Sequence, residues 1–313
     1  MSKRAEIEII KAGLQTTVQD LGRVGSRHLG IAQSGALDRP SFQLANYLVG
    51  NAAHAAGVEI VVGPVQIRFH SKCWFALTGA DFDARLNGER VAPAWRVLAS
   101  AGDLLSLSGT RYESRCYLAL SGGIDVPEVL GACATDLPAR FGGYQGRALR
   151  AGDFLSLGNG RQFDKSMGVL QRTWTPEIRA IAGPEYTQFS EASRSSFWRQ
   201  AWKVSHQSNR MGFRLQGHAL QRVITSELLS HAVLPGVVQV PPNGQPIVLL
   251  ADAQTTGGYP RIATVIEADL WKVAQTPIGT SFCFEQCSLA TALDAQEKWR
   301  KEFARFDWLQ HAK

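Results

Sequence analysis

Asp83-Ala84-Arg85-Leu86-Asn87-Gly88-Glu89-Arg90-Val91 is the stretch that decides the class of fold. Asn-Gly is the pair that a tight two-residue hairpin turn demands, because both central residues take positive φ. Its arms alternate apolar and charged side chains, as two half-buried strands do. Upstream, residues 58–62, 65–69 and 74–78 are short apolar runs rich in β-branched and aromatic residues, and each predicts a strand. So does 5–10, where Glu6, Ile7, Glu8 and Ile9 alternate. Downstream, Ala101-Gly102-Asp103-Leu104-Leu105-Ser106-Leu107-Ser108 returns as Ala151-Gly152-Asp153-Phe154-Leu155-Ser156-Leu157-Gly158. In both copies a Gly-Asp turn feeds a strand with apolar residues on alternate positions, which extends β structure to residue 158. One helix interrupts the strands. Asp38 caps it, Pro40 sits in its first turn, and Phe42, Leu44, Ala45, Tyr47 and Leu48 follow before Gly50.

The second half repeats the pattern. The polar, irregular stretch 159–176 reads as a linker, set at 166–176, between an N-terminal domain (1–165) and a C-terminal one (177–313). Strands are expected at 178–182, 203–205, 237–240, 247–251 and 282–285, with Pro242-Asn243-Gly244 as a further turn. Ser190 caps a short helix. Ser288 opens a terminal one, whose apolar face is expected to carry Leu289, Leu293, Trp299, Phe303 and Phe306. A chain of 313 residues suits two such domains. The expected architecture is mainly β: two β-barrel-like or sandwich-like domains with a few packed helices.

Composition narrows the function. Net charge is +6, with Lys and Arg scattered and no nucleic-acid motif beside them. A solvated surface accounts for this, and so does a preference for a small anionic molecule or an acidic partner; nucleic acid is not expected. No apolar run approaches the ~20 residues that cross a bilayer, and the first residues lack a secretory signal. A cytoplasmic location without membrane contact is therefore expected. Five cysteines, an odd number, read as small buried hydrophobes in a reducing compartment, and no metal site is expected. There is no Walker A sequence, no Gly-x-Ser-x-Gly elbow, no His-Glu-x-x-His pair and no Met-Lys-Met for attaching biotin. What remains is a partner-dependent enzyme component or a binding protein.

Four segments set polar side chains beside glycine, where backbone amides approach a ligand closely. They are Thr16-Thr17-Val18-Gln19-Asp20-Leu21-Gly22-Arg23, Gln33-Ser34-Gly35-Ala36-Leu37-Asp38, Ser208-Asn209-Arg210-Met211-Gly212 and Asp252-Ala253-Gln254-Thr255-Thr256-Gly257-Gly258-Tyr259-Pro260-Arg261. Candidate binding residues are Arg23, Ser34, Asp38, Asn209, Arg210, Gln254, Thr255, Thr256, Gly257, Gly258, Tyr259 and Arg261. Arg210 and Arg261 are expected to grip an oxyanion bidentately, the Thr255–Gly258 turn to offer a nest of N–H groups, and Gln254 to recognise an amide. The same last segment also reads as a polar hairpin loop that satisfies its own backbone. No side chain stands out for proton transfer; Asp252, Gln254 and His231 are the candidates.

These segments, together with Leu120-Ser121-Gly122-Gly123-Ile124-Asp125-Val126-Pro127, resemble the biotin-dependent carboxyltransferase family, earlier labelled allophanate hydrolase subunit 2 or KipA-like. The resemblance runs from about residue 7 to about residue 293. Within it, Ser205-His206-Gln207-Ser208-Asn209 and Leu229-Ser230-His231 are most similar to the C-type chains of 5-oxoprolinases. The resemblance implies cyclophilin-like β-barrels and two partner chains, one LamB/YcsF-like (A type) and one KipI-like (B type). It implies opening of 5-oxoproline to glutamate, with ATP shared among the chains of the complex and no covalent biotin on this one. Two alternatives within the family are the carboxyltransferase component of a urea carboxylase and a regulator that binds a KipI-type partner.

Overall fold

The computed structural model describes residues 5–110, 112–224, 227–306 and 308. Strands β1 Glu6–Ala12, β2 Gln15–Gln19, β3 Gly57–Val62, β4 Val65–Phe69, β5 Cys73–Gly79, β6 Arg85–Leu86, β7 Glu89–Arg90, β8 Trp95–Ala99, β9 Leu104–Leu107, β10 Cys116–Leu120, β11 Phe154–Ser156 and β12 Met167–Gly168 come first, with helix α1 Arg39–Leu48 among them. Then follow β13 Glu177–Ala182, α2 Glu191–Arg199, β14 Ala201–Val204, β15 Gly212–Gln216, β16 His231–Ala232, β17 Val237–Gln239, β18 Ile247–Leu249, β19 Thr256–Gly257, β20 Arg261–Val265, α3 Leu270–Gln275, β21 Ser281–Gln286 and α4 Leu289–Ala304. The protein is mainly β. Its chain divides into two compact units: 1–23, 34–173 and 303–313 make up one, 24–33 and 174–302 the other.

The first unit holds two six-stranded sheets, ordered β11-β1-β4-β9-β6-β7 and β12-β8-β5-β10-β3-β2. Their inner faces share one core, with Ile7, Ile9, Phe69 and Leu105 from the first sheet against Val58, Phe75, Leu77 and Leu118 from the second. Strands β5 and β10 are buried on both faces, because α1 covers the outer one. There the strands present Ala76 and Ala119, and Leu44, Ala45 and Leu48 of the helix pack on them. Small residues on the sheet let the helix approach, and each large apolar side chain it buries contributes about 1.5–3 kcal/mol. The helix begins where its sequence says: the Ser41 N–H donates to Asp38 Oδ1 at 2.9 Å, and proline occupies the first turn.

The Asn87-Gly88 turn is also as read. Both residues have positive φ (51° and 92°), and Arg85 pairs with Arg90 and Leu86 with Glu89. The repeated octapeptide proves to be a structural repeat. Gly102 donates to Phe69 O (2.7 Å) while Phe69 N donates to Asp103 O (2.9 Å); Gly152 and Asp153 make the same two bonds to Ile9, each at 2.8 Å. Thus β9 flanks β4 and β11 flanks β1, one copy on each side of the central β1–β4 pair.

Three expectations need correction. The stretch set as linker contains β12, which pairs with β8 through Met167 and Arg96, and Gln171 hydrogen-bonds both backbone groups of Gly79. Residues 24–33 cluster with the second unit and the chain from 303 onward with the first, which no linear division anticipates. In α4, Leu289 and Leu293 are exposed (63% and 56%), while the smaller Ala292 and Ala295 pack with Ile266 and Ala268. Phe303 lies 6.3 Å from Tyr47, ring to ring.

The second unit is a closed barrel in the order β13-β20-β17-β18-β15-β14-β21. β13 and β21 run parallel and the other neighbours antiparallel. Ile178, Trp202, Phe213, Leu215, Val238, Val248, Ile262, Phe282 and Phe284 are buried, as closure of a small barrel over its own side chains requires. Ser190 caps α2, accepting from Ser193 N at 3.2 Å, and Phe197 of that helix stacks on Phe284 at 4.7 Å. Strands β16 and β19 form a separate two-stranded ribbon.

Candidate functional site

Strand β15 alternates Phe213 and Leu215, which are buried, with Arg214 and Gln216, which are exposed. Together with β17, β18 and the loops around them, the strand borders a cavity of about 380 Å³ within the second unit, a size suited to a small metabolite. Its lining is rich in carboxamides. Gln245 is occupied, gripping Gly217 from both sides (3.0 and 3.1 Å). Gln239 is buried and donates to Tyr259 O at 3.4 Å, and its carboxamide lies against Gly257, where a Cβ would come within 2.7 Å of Nε2. Asn209 Oδ1 accepts from Met211 N at 2.9 Å. By contrast, the carboxamides of Gln207, Gln216 and Gln254 form no hydrogen bond among the described residues. Arg214 is the charged residue of the lining. Its backbone bonds Ser208 Oγ through both N–H (3.0 Å) and C=O (3.4 Å), and its guanidinium has no carboxylate partner among the described residues.

Arg210 and Arg261, expected to hold the oxyanion, are committed elsewhere. Arg210 donates from Nε and Nη2 to the two oxygens of Asp252 at 2.9 and 3.0 Å, with both side chains buried (3% and 0% exposed). Arg261 makes the same fork on Glu185, at 2.8 and 2.7 Å, and its N–H adds a third bond at 2.9 Å. The hydrogen bond from Arg261 holds the Glu185 carboxyl below the usual carboxylate range, against the upward push of burial. Asp252 therefore serves Arg210. The Thr255–Gly258 stretch is no nest either. Thr256 and Gly257 pair with Ala232 and His231, Thr255 O accepts from Val233 N at 3.0 Å, and neither Gly257 nor Gly258 has positive φ. His231 bonds Leu229 O through Nδ1 at 3.1 Å, and it does not line the cavity. Of the named candidates, Asn209, Gln254 and Tyr259 do.

Arg23, Ser34 and Asp38 belong to the first unit. Arg23 is wholly buried, donates to Val129 O (3.1 Å) and to Ala134 O, and lies 4.5 Å over the Phe141 ring. Ser34 has φ 56° and is buried, with its hydroxyl unpartnered. Asp38 caps α1, and its own N–H donates to Tyr117 Oη at 2.8 Å. Tyr117 donates in turn to buried Glu59 at 2.9 Å, which also accepts from Leu37 N at 3.0 Å. Burial first, and the Glu59 charge second, raise the Tyr117 phenol well above its ordinary pKa. Sequence reasoning misses Arg27. Residues 24–33 carry it to the second unit, where it donates to Val233 O (2.6 Å) and Gln254 O (3.1 Å), and burial lowers its pKa. It misses Arg214 too, although the Phe-Arg-Leu-Gln alternation of a strand is there to be read. Among the described residues, no three His, Cys, Asp or Glu side chains are grouped to hold a metal ion, and no helix is long and apolar enough to cross a membrane.

The family model for the carboxyltransferase domain, subdomain A and B, matches residues 29–286 of the chain. Over 306 residues the chain is 51% identical to the C-type chain of 5-oxoprolinase from Escherichia coli (strain K12), covering 97% of this chain and 99% of that protein. To the protein of the same name from Haemophilus influenzae it is 40% identical over 292 residues, covering 93% and 94%. Among solved structures, the Kluyveromyces lactis urea carboxylase superposes with a TM-score of 0.89 at 30% identity, covering 98% of this chain and 29% of that one.

Proposed function

The chain belongs to the carboxyltransferase family of subdomains A and B, and on that footing we propose that it is the C component of an ATP-dependent 5-oxoprolinase, an enzyme part that opens 5-oxo-L-proline to L-glutamate with its two partner chains. One observation carries the reading beyond the likeness: a single guanidinium without a carboxylate partner, Arg214, stands in a cavity otherwise lined by carboxamides, hydroxyls and apolar groups. 5-Oxoproline has one carboxylate and one lactam. Arg214 matches the carboxylate as a planar fork. The free carboxamides of Gln207, Gln216 and Gln254 match the lactam, donating to its carbonyl and accepting from its N–H. Urea itself has no carboxylate, so in the urea carboxylase alternative Arg214 would have to hold the carboxyl group being transferred.

In this reading the chain binds and orients the ring. A five-membered lactam is a stable amide, and ATP, when bound to the complex, supplies the phosphoryl group that turns its carbonyl oxygen into a leaving group. The lining contains no carboxylate, histidine, cysteine or lysine. Proton transfer during ring opening is therefore assigned to the LamB/YcsF-like partner, and docking to the KipI-like one. The test is glutamate release by the co-purified assembly of all three chains. Arg214→Gln, at an exposed position that leaves the fold intact, should raise KM for 5-oxoproline about 10- to 100-fold, as loss of a charge-assisted hydrogen bond of about 1.5–3 kcal/mol implies. An unchanged KM would refute the assignment. Unchanged oxoproline consumption after deletion of the chain would favour the regulator instead.

A further inference from the structure

Segment 24–33 belongs to the second unit and contains a short 3-10 turn, Arg27–Leu29, closed by its own backbone. Gly30 N donates to Arg27 O at 3.0 Å and Leu29 N to Ser26 O at 3.1 Å. The turn buries none of its residues, and Val24 and Leu29 stand exposed. Among the described residues, the hydrogen bonds that tie this segment to the rest of its unit both come from Arg27. Its Nη2 donates to Val233 O at 2.6 Å and to Gln254 O at 3.1 Å.

Those two carbonyls lie where the β16–β19 ribbon comes apart. His231 pairs with Gly257 and Ala232 with Thr256, and Val233 N donates to Thr255 O at 3.0 Å. Beyond that rung one strand turns away at Pro235-Gly236, where Val237 N donates to Leu234 O at 3.2 Å. No backbone N–H among the described residues donates to Val233 O or Gln254 O. The guanidinium supplies the missing donors and acts as the last rung. On one side of Gln254 the chain is anchored by Ala253 N, which donates to Leu250 O at 3.0 Å, and by the Asp252–Arg210 pair. On the other side it is tied by the ribbon. Between these anchors, the bond from Arg27 is the one that reaches the main chain of Gln254 itself. The Gln254 carboxamide lines the cavity and forms no hydrogen bond among the described residues, so its main chain sets where it can reach.

We propose that Arg27, which does not itself line the cavity, is a positioning residue for it: by bridging Val233 O and Gln254 O, it holds the ribbon closed and keeps the Gln254 carboxamide directed at a lactam. The planar Nη2 group suits this task, since its N–H bonds point in two fixed directions, one for each carbonyl, whereas an ammonium on a flexible stem fixes neither. The proposal rests on the 5-oxoprolinase reading for the choice of substrate. It adds segment 24–33 to the residues on which binding depends.

The test compares assemblies of all three chains carrying the parent chain, Arg27→Met, Gln254→Ala or both changes, in KM and kcat for glutamate release from 5-oxoproline. Each single variant should raise KM about 5- to 10-fold with kcat kept within about twofold, as loss of one neutral hydrogen bond implies. The double variant should be no worse than the worse of the two, because Arg27 acts through Gln254. A parent-like KM in Arg27→Met, or effects that multiply in the double variant, would overturn the proposal. A second readout needs no substrate. In the full chain alone, Arg27→Met should speed hydrogen exchange at the Val233 amide at least about tenfold and leave the β15 amides at the parent's rate. An unchanged rate at Val233, or equal acceleration in β15, would also overturn it. Failure of the 5-oxoprolinase reading shows elsewhere, as an unchanged KM in Arg214→Gln, and the exchange result then still decides whether Arg27 holds the ribbon.

Discussion

Replacing Asp252 by Asn tests whether Arg210 belongs to the scaffold of the barrel or to its chemistry. The carboxylate is fully buried and takes two hydrogen bonds from Arg210, itself 3% exposed. Removing one partner leaves an uncompensated charge out of water, which costs about 3–5 kcal/mol. Asp252 also tethers the chain after β18 to the turn before β15, since its N–H donates to Arg210 O at 3.1 Å. The loss should therefore appear locally. Native-state hydrogen exchange at the amides of β15 and β18 should accelerate by roughly two to nearly four orders of magnitude, while the β1–β4 sheet is unaffected. A double variant, Arg210→Met with Asp252→Leu, should recover most of this, because apolar residues of similar volume replace a buried pair at little net cost. If Arg210→Met alone changed exchange by less than threefold yet abolished glutamate release, the pair would be part of the catalytic machinery and the structural assignment would fail.

Asp153 accepts from Arg147 Nη1 and Nη2 at 2.7 and 2.8 Å, and that bond lowers its pKa. Its stabilisation is then present above the unfolded carboxylate pKa of about 3.9 and is lost as pH falls through the lower folded value. Asp153→Asn should cost about 1 kcal/mol at pH 7, with melting curves that converge with the parent's in acid; a gap independent of pH would refute this. Gly35 has φ 89°, and a Cβ there would come within 2.6 Å of Gly22 N. Gly35→Ala should therefore cost about 2 kcal/mol and lower Tm by several degrees, whereas a Tm within one degree of the parent's would mean that the close approach is not required.

Local chemistry is the legible part of the fold. Asn87-Gly88 names its own turn, Asp38 and Pro40 name the start of α1, and the Gly-Asp octapeptides name two equivalent strands, because each signal is complete within a few residues. Ion pairs are different. Arg210 meets a carboxylate 42 positions away and Arg261 one 76 positions away, so nothing near either arginine shows that it is already engaged. The polar loop after Ala251 can be read either as a site or as a hairpin; Thr256 and Gly257 are spent on pairing with β16, while Gln254 and Tyr259 remain at the cavity. The alternation around Arg214 shows only that it faces outward from a strand, which does not mark it as a ligand. The sequence of α4 misleads because its most hydrophobic residues, Leu289 and Leu293, stand exposed while Ala292 and Ala295 take the packed positions.

The chain changes unit four times, after residues 23, 33, 173 and 302. A ribosome making it must pass Gln254 before Arg27 can find both of its acceptors, which lie 206 and 227 positions later, and must pass residue 302 before Phe303 can reach Tyr47. Neither half can be produced faithfully by cutting the gene once. A fragment ending near 173 would hold residues 24–33 with nothing to receive them, and one starting near 174 would lack that strap. Two-piece reconstitution, the usual way to ask which half docks a partner, should work here only when the pieces are grown together.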